Sequence, residues 1–596
     1  MSIPLEKPRD PLVPRPLDLP AAVPLEPDAD LEPLDGAKIF IAPEDPADWP
    51  AWRDALARWR TEAAARIGYD DSAYEAPEYG WTQGCHVVAL AWLWDELLFD
   101  HDAGRFTPER FCTESEREFG GFDGIVLWHA YPVIGIDDRN QFDYYRDVPG
   151  IRELVVELQA RGLRVFVNYN PWDVGTRREP VADDLAIAEL VAELGVDGVF
   201  LDTMKEAQPG LRAALDGIKP GIALEGESTL PLARTCDHHL SWAQWFSDSS
   251  VPGVLRARWF EQRHMLHHTR RWNRDHTEEL HSAWLNGVGI LVWENVFGAW
   301  VGWSERDKAL LRAMRPVQRE YAGLLATGEW TPLAAASEDT RVVASRWTDG
   351  ETTLWTVANR GAAYAGPVGE LEVDLPALGI AAFIGTQQVM AAGGGDAAFP
   401  AREAVRAPVP VARVEAVPDG FAAVEPRAAK AVFRRRETGT YGEAPYVEEW
   451  KPLPPRLHDF VEVERPAPRG RFAIGLREVA GADGAPLTGL DLAEARAHAA
   501  AAGARLPTED EWQLAAEAGL LERLEPLVWN WTESEHSDGR TRFAILKGGS
   551  DWLPEGSDWY VDGGPQDARY SLKLLLLGAG MARSPRIGFR LAVDLP

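Results

Sequence analysis

Residues 196–227 read VDGVFLDTMKEAQPGLRAALDGIKPGIALEGE, and this stretch decides the fold. An apolar run ends abruptly in Asp202. The segment LRAALDGI follows as a helix, and a second apolar run ends in Glu225, with Glu227 two residues on. Strand, helix and strand in this order, with carboxylates where the strands stop, are how a parallel α/β domain reads.

The same alternation extends in both directions. HVVALAWLWDE (His86 to Glu96) and FDGIVLWHA (Phe122 to Ala130) are predicted as the first two strands. The helix IRELVVELQARG, with Leu154, Val155, Leu158 and Leu163 on one side, leads to the third strand, LRVFVNYN, and the helix DLAIAELVAELG leads to the fourth, VDGVFLD (Val196 to Asp202). The fifth is PGIALEGE (Pro220 to Glu227). The sixth and seventh are placed near Cys236–Trp242 and Pro252–Phe260, and the eighth is GVGILVWEN (Gly287 to Asn295), followed by the helix SERDKALLRAMRPVQREYAGLL. Eight candidate strands within this span predict a (β/α)8 TIM barrel over 37–325.

The chain is 596 residues long, enough for about three or four domains. After the barrel, short β-like runs such as RVVASRW, TTLWTVANR and GELEVDL predict a β-sandwich over 326–433. A Pro-rich, acidic stretch, 434–457, reads as a linker, and 458–596 as a small α+β module. The fold class is therefore multidomain α/β. Residues 1–36, with nine prolines and no continuous apolar core, read as an extended arm and not as a secretory signal.

The balance of 61 basic and 93 acidic residues gives a net charge of -32. Such a surface repels phosphate backbones and anionic lipid, which disfavours nucleic acid and membrane as partners. Acidity of this size also serves solubility alone. Three cysteines without CxxC spacing indicate neither a disulfide framework nor a zinc ribbon. The expected location is the cytoplasm. The 25 tryptophans suit a carbohydrate partner, because flat sugar faces stack on indole, although many must be core. An oligomer is compatible with all of this.

In a TIM barrel, functional groups gather where strands end. Asp202 ends strand four, Glu225 and Glu227 strand five, Glu294 strand eight, Asp95 and Glu96 strand one, and Asp173 follows strand three. Buried strand ends tolerate ionisable groups only where these have a partner or a task. Two carboxylates on adjacent strands suit glycosidic cleavage, one ionised and one holding a proton. Trp94, Trp128, His129, Asn168, Asn170, Trp172, Trp293 and Asn295 share the same rim as candidate sugar contacts, although each taken singly is as readily packing. His264, His267 and His268 stand at helical spacing. A metal would need neutral imidazoles with a carboxylate, and four arginines in RHMLHHTRRWNRDH disfavour a cation, so they are read as a helix face, with no metal and no cofactor.

GVDGVFLDT resembles the strand-four nucleophile motif of retaining glycoside hydrolases in the α-amylase and α-galactosidase superfamilies. The resemblance implies Asp202 as nucleophile. In the α-amylase clan the acid/base is a Glu ending strand five, which implies Glu225, with Glu227 close behind. The α-galactosidase clan uses an Asp on strand six, which implies Asp237. The rest of either clan's motifs is not matched, so substrate and anomer do not transfer.

Four runs, ARLPTEDEWQLAA (Ala504 to Ala516), VWNWTES (Val528 to Ser534), LKGGSDW (Leu546 to Trp552) and RSPRIGFRLA (Arg583 to Ala592), look like the formylglycine-generating-enzyme and sulfatase-modifying-factor family. The resemblance implies a variant of the C-type-lectin fold. Catalytic members use a cysteine pair, and no cysteine follows Cys236. Ergothioneine-type relatives hold iron with histidines, and only His458, His498 and His536 occur here, at positions that do not match. The expectation is an exo-acting, retaining glycoside hydrolase with a structural or sugar-binding module. The rivals are a non-catalytic sugar-binding scaffold and a metal-dependent oxidase acting through that module.

Overall fold

A computed structural model of the chain describes residues 21–131, 136–171, 177–227, 229–244, 249–269, 275–296, 299–400, 402–436, 458–468, 470–553 and 563–596. Eight parallel strands close into a barrel: β1 (Val87–Trp92), β2 (Gly124–Trp128), β3 (Arg164–Tyr169), β4 (Gly198–Leu201), β5 (Ala223–Gly226), β6 (Leu240–Gln244), β7 (Met265–Thr269) and β8 (Gly289–Val292). The ring follows chain order, with β8 returning to β1. Most of its side chains are Val, Ile, Leu, Ala and Trp, buried on both faces as parallel strands require.

Two of the expectations fail here. The seventh strand is Met265–Thr269, not the apolar run 252–260, which instead forms the two-residue strand Val254–Leu255 against Ile39–Phe40 and the short helix Arg256–Phe260. The helical spacing of His264, His267 and His268 therefore misleads, since His267 and His268 lie in β7 and point to opposite faces. The arm also differs in part. Residues 1–20 lie outside the described residues, but 21–36 fold onto the barrel, burying Leu31 and Leu34, and Asp35 accepts from Trp59 Nε1 at 2.9 Å.

Behind the barrel, the antiparallel strands Glu329–Ala336, Val342–Thr348, Thr353–Asn359, Ile380–Ile384 and Gln387–Ala392 form one sheet. The hairpin Tyr364–Val368 and Leu371–Leu375 covers one face of it. In LEVDL, Leu371, Val373 and Leu375 are buried while Glu372 and Asp374 are exposed, and the buried set packs on Val342, Ala344, Trp355, Val357 and Phe383. On the opposite side Trp284, from the helix Thr277–Asn286 before β8, donates to the Ala381 carbonyl at 3.1 Å.

The expected boundary at 433 falls inside a strand. Ala429–Arg436 pairs along its whole length with His458–Arg465, so 434–436 are strand and not linker, and 437–457 lie outside the described residues. Val405–Arg406 and Phe421–Val424 likewise pair with strands of the C-terminal module. Ladder partners this distant in sequence leave no local pattern. The module's two longer helices start on capping boxes, Asp491 with Glu494 and Thr508 with Glu511, the latter written plainly in PTEDEW. The motif residues meet in its core: Asn530 Oδ1 accepts from Trp512 Nε1 at 2.9 Å and from Arg590 Nε at 3.0 Å. Arg590 is also paired at 2.7 Å with buried Glu478.

Candidate active site

The parallel ladder fixes which carboxylates share a level. Leu201 of β4 stands opposite Gly226 of β5, and Phe200 opposite Glu225. Beyond the strands the ladder breaks: Glu227 N donates to the Met204 carbonyl at 2.9 Å and its carboxylate accepts from Thr203 N–H, which brings Glu227 next to the residue that follows Asp202. The expected pairing of Asp202 with Glu225 at matching depth is thus off by two residues, or about 6.6 Å along the strand.

Glu225 is fully buried inside the barrel, bonded to His267 Nδ1 at 2.6 Å. His267 Nε2 faces the Cys85 carbonyl at 2.8 Å. Both partners of the imidazole can accept, which favours its doubly protonated form. Burial opposes that charge, and Glu225 outweighs it, raising the His267 pKa. This internal ion pair is shut off from the mouth, and Glu225 is removed from the set of acid/base candidates.

Asp202 keeps partial exposure at the end of β4. Tyr131 donates its hydroxyl to Asp202 Oδ2 at 2.6 Å, Asn170 Nδ2 donates to the same oxygen at 3.3 Å, and Asn168 Nδ2 donates to the Tyr131 hydroxyl oxygen. Burial and the neighbouring carboxylate push the Tyr131 phenol well above its ordinary value, so it remains a donor to Asp202. Glu227, almost buried, accepts from the backbone N–H of Thr203. Ala130, Tyr131 and Thr203 all have φ between 53° and 64°. Side-chain-bearing residues in that region are strained, and such residues concentrate at functional sites.

The other candidates separate clearly. Trp94, Trp128, His129 and Trp293 are all buried. Trp128 meets Trp293 edge-on at 5.2 Å, Trp242 meets Trp293 at 5.7 Å, and His129 stacks on Tyr144 at 4.7 Å. These rings fill the barrel beneath the mouth and are core, not open sugar platforms. Asp237 precedes β6 instead of ending it, and is taken up by Arg234 at 2.9 Å and His238 at 2.6 Å, which hold its pKa low against burial. Trp172 and Asp173 lie outside the described residues.

Asp95 and Glu294, ending β1 and β8, have a partner that the barrel sequence does not contain. Arg540 of the C-terminal module donates through Nε to both Asp95 oxygens, at 2.8 and 2.9 Å, and through Nη1 to Glu294 at 3.3 Å. Its guanidinium lies 4.5 Å from the Trp300 ring centre. Around it the Arg540 carbonyl accepts from Glu96 N at 2.9 Å, Ser537 donates to Glu96, Asn295 donates to Thr541, and Arg139 donates to the Met581 carbonyl at 2.6 Å. Sequence reasoning missed Tyr131 and Arg540. Tyr131 directly follows the strand-two run and was within reach of a strand-end reading, whereas nothing local marks Arg540.

Among the described residues no three His, Cys, Asp or Glu are grouped to hold a metal ion. In the module His498 lies edge-on to Phe589 and His536 stacks on Phe543. No described helix is long and apolar enough to cross a membrane.

Compared with known proteins, residues 446–526 match the sulfatase-modifying factor enzyme 1-like domain family. The motif runs from Val528 onward lie beyond that match. No curated protein matches the chain. Solved structures similar to it include a cyclic α-maltosyl-(1→6)-maltose hydrolase from Arthrobacter globiformis (12% identity, 51% of this chain and 99% of that one, TM-score 0.33). A maltogenic α-amylase from Thermotoga neapolitana (11%, 46% and 86%, 0.33) and a debranching enzyme from Nostoc punctiforme (12%, 53% and 99%, 0.33) are others. The barrel assignment itself rests on the strand order and pairing given above.

Proposed function

We propose that the chain is a glycoside hydrolase whose reacting groups are Asp202 as nucleophile and Glu227 as acid/base. The observation that carries this reading is the bond from Thr203 N–H, the residue after Asp202, to the Glu227 carboxylate, where neighbouring strands end at the carboxyl face of the barrel. Asp202, oriented by bonds from Tyr131 and Asn170, suits attack on the anomeric carbon. Glu227, poorly exposed at the end of the next strand, suits the acid/base role. Adjacent parallel strands lie about 4.8 Å apart, which favours the short carboxylate separation of about 5–5.5 Å found in retaining enzymes. The substrate class in this reading is a short oligosaccharide or glycoside, cleaved by exo action. The scaffold alternative calls for Asp202 or Glu225 paired to Arg with no open cleft; Asp202 accepts from Tyr131 and Asn170, and Glu225 is bonded to His267.

A panel of nitrophenyl glycosides assayed against the wild type, Asp202→Asn and Glu227→Gln tests the proposal. Glu227→Gln is expected to lose about 10²–10⁴-fold on substrates with poor leaving groups and far less on activated aryl glycosides. Asp202→Asn is expected to lose activity on both. No hydrolysis of any glycoside by the wild type, or equal losses in the Glu227 variant on both leaving-group classes, would overturn it. NMR of the first-formed product anomer checks retention.

A further inference from the structure

Arg540 reaches the mouth from the far side of the sequence and is only 8% exposed. A guanidinium has five N–H donors. Its Nε serves Asp95 and one Nη1 hydrogen serves Glu294, while among the described residues nothing accepts from Nη2. Glu294 Oε2 takes the Arg540 bond, and Oε1 likewise has no described donor. Burial raises the Glu294 pKa, and Arg540 draws it back. One plane thus presents unused donors beside an unused acceptor.

The ring order sets β8 and β1 across the mouth from β4 and β5, so this pair faces Asp202 and Glu227. Arg540 answers the carboxylates of Asp95 and Glu294, with Arg402 on the same Trp300 ring and Lys308 acting on Glu294. Donors beside an acceptor fit two neighbouring hydroxyls of a neutral sugar ring, whereas a sugar carboxylate would meet Glu294. One hydroxyl accepts from Arg540 Nη2, and the next donates to Glu294 Oε1. Trp300, lying between Arg540 and Arg402 at 4.5 and 4.3 Å, supplies the rigid wall.

We infer that Arg540 and Glu294 form a diol-reading subsite, so that the C-terminal module contributes a substrate-binding residue to the barrel. The inference rests on the glycosidase reading for its substrate class and not for its test. Binding of glucose, galactose, mannose and glucuronate to the full-length protein is measured by saturation-transfer NMR and titration calorimetry, without catalysis. The proteins compared are wild type, Arg540→Lys, Glu294→Gln, and Arg542→Ala, whose native side chain pairs with Glu535 and Asp102 and has no bond to Asp95 or Glu294.

The wild type and Arg542→Ala are expected to bind at least one neutral sugar and to bind glucuronate more weakly. Arg540→Lys keeps the charge for Asp95 but loses the planar fork, and is expected to weaken binding about tenfold or more. Its melting temperature should stay close to that of the wild type. On a hydrolysed glycoside the same variant should raise KM while kcat changes little. Equal sugar affinity in Arg540→Lys, preference for glucuronate, or no sugar bound by the wild type each overturns the inference. Failure of hydrolysis with intact, Arg540-dependent sugar binding overturns the glycosidase reading and leaves the subsite standing.

Discussion

Glu225 and Glu227 are separated by one glycine and face the same side of β5, yet one lies in the barrel core and the other at its rim. Period two gives a face and says nothing of depth. Depth comes from the ladder, which sets Gly226 and not Glu225 against the end of β4. At Glu225 the buried pair with His267 makes a specific demand on solution behaviour. The folded imidazole pKa lies above the ordinary value of about 6.5, so the pair's stabilisation is complete below about pH 6.5 and is lost as pH rises through the folded value. Thermal melts across this range are expected to fall in the wild type and to flatten in Glu225→Gln. Removing one partner of a buried pair should cost about 3–5 kcal/mol. A Glu225→Gln protein with wild-type stability and unchanged pH dependence would contradict this. Tyr131→Phe, which deletes the hydroxyl donated to Asp202, is expected to lower kcat while leaving the melting temperature within a few degrees of the wild type, since the ring's packing is kept.

Among the elements, the barrel strands that read correctly are those made of Val, Ile, Leu and Ala between a helix and a carboxylate. β7 escaped because MLHHT carries two histidines where the eye looks for aliphatics, and 252–260 offered a greener apolar run whose true partners are Ile39 and Phe40, over two hundred residues earlier. The strand ends were legible, and so were Asp202 and the pair of glutamates. Their relative level was not, because parallel register is fixed by neighbours and not by a local motif. In the module the recognised runs mark core polar contacts: Trp512, Asn530 and Arg590 converge, and Glu478, outside every quoted motif, anchors Arg590 and Arg523 at 2.7 and 2.8 Å. Glu478→Ala is expected to destabilise the module by about 3–5 kcal/mol through two uncompensated arginines, measured by denaturant unfolding. A loss below about 1 kcal/mol, the scale of exposed pairs, would show that these contacts are not jointly buried in solution.

Across the whole molecule, the joint between module and barrel is polar and mostly buried at its centre. Arg540, Asp95 and Glu294 have little exposure there, whereas at the edge Arg542 is partly exposed and Asp102 is open. Screening acts on exposed charges far more than on buried ones, so high salt should loosen the rim and leave the centre intact. Calorimetry of the wild type is expected to give one cooperative transition for barrel and module together in low and high salt. Arg540→Ala should split it into two, and a single unshifted transition in that variant would refute the coupling. The local sequence held no sign of this joint, because its two halves are recognised only by contact.

The placement of Arg540 also gives the barrel a timetable. Arg540 follows Glu294 by 246 residues, and a ribosome adding about 5–20 residues per second needs roughly 10–50 seconds to cover that distance. For that interval all eight barrel strands have been synthesised while Asp95 and Glu294 stand side by side without their cation. Through that interval the two carboxylates lack their guanidinium, and the mouth acquires its final shape only once the module has been made and docks.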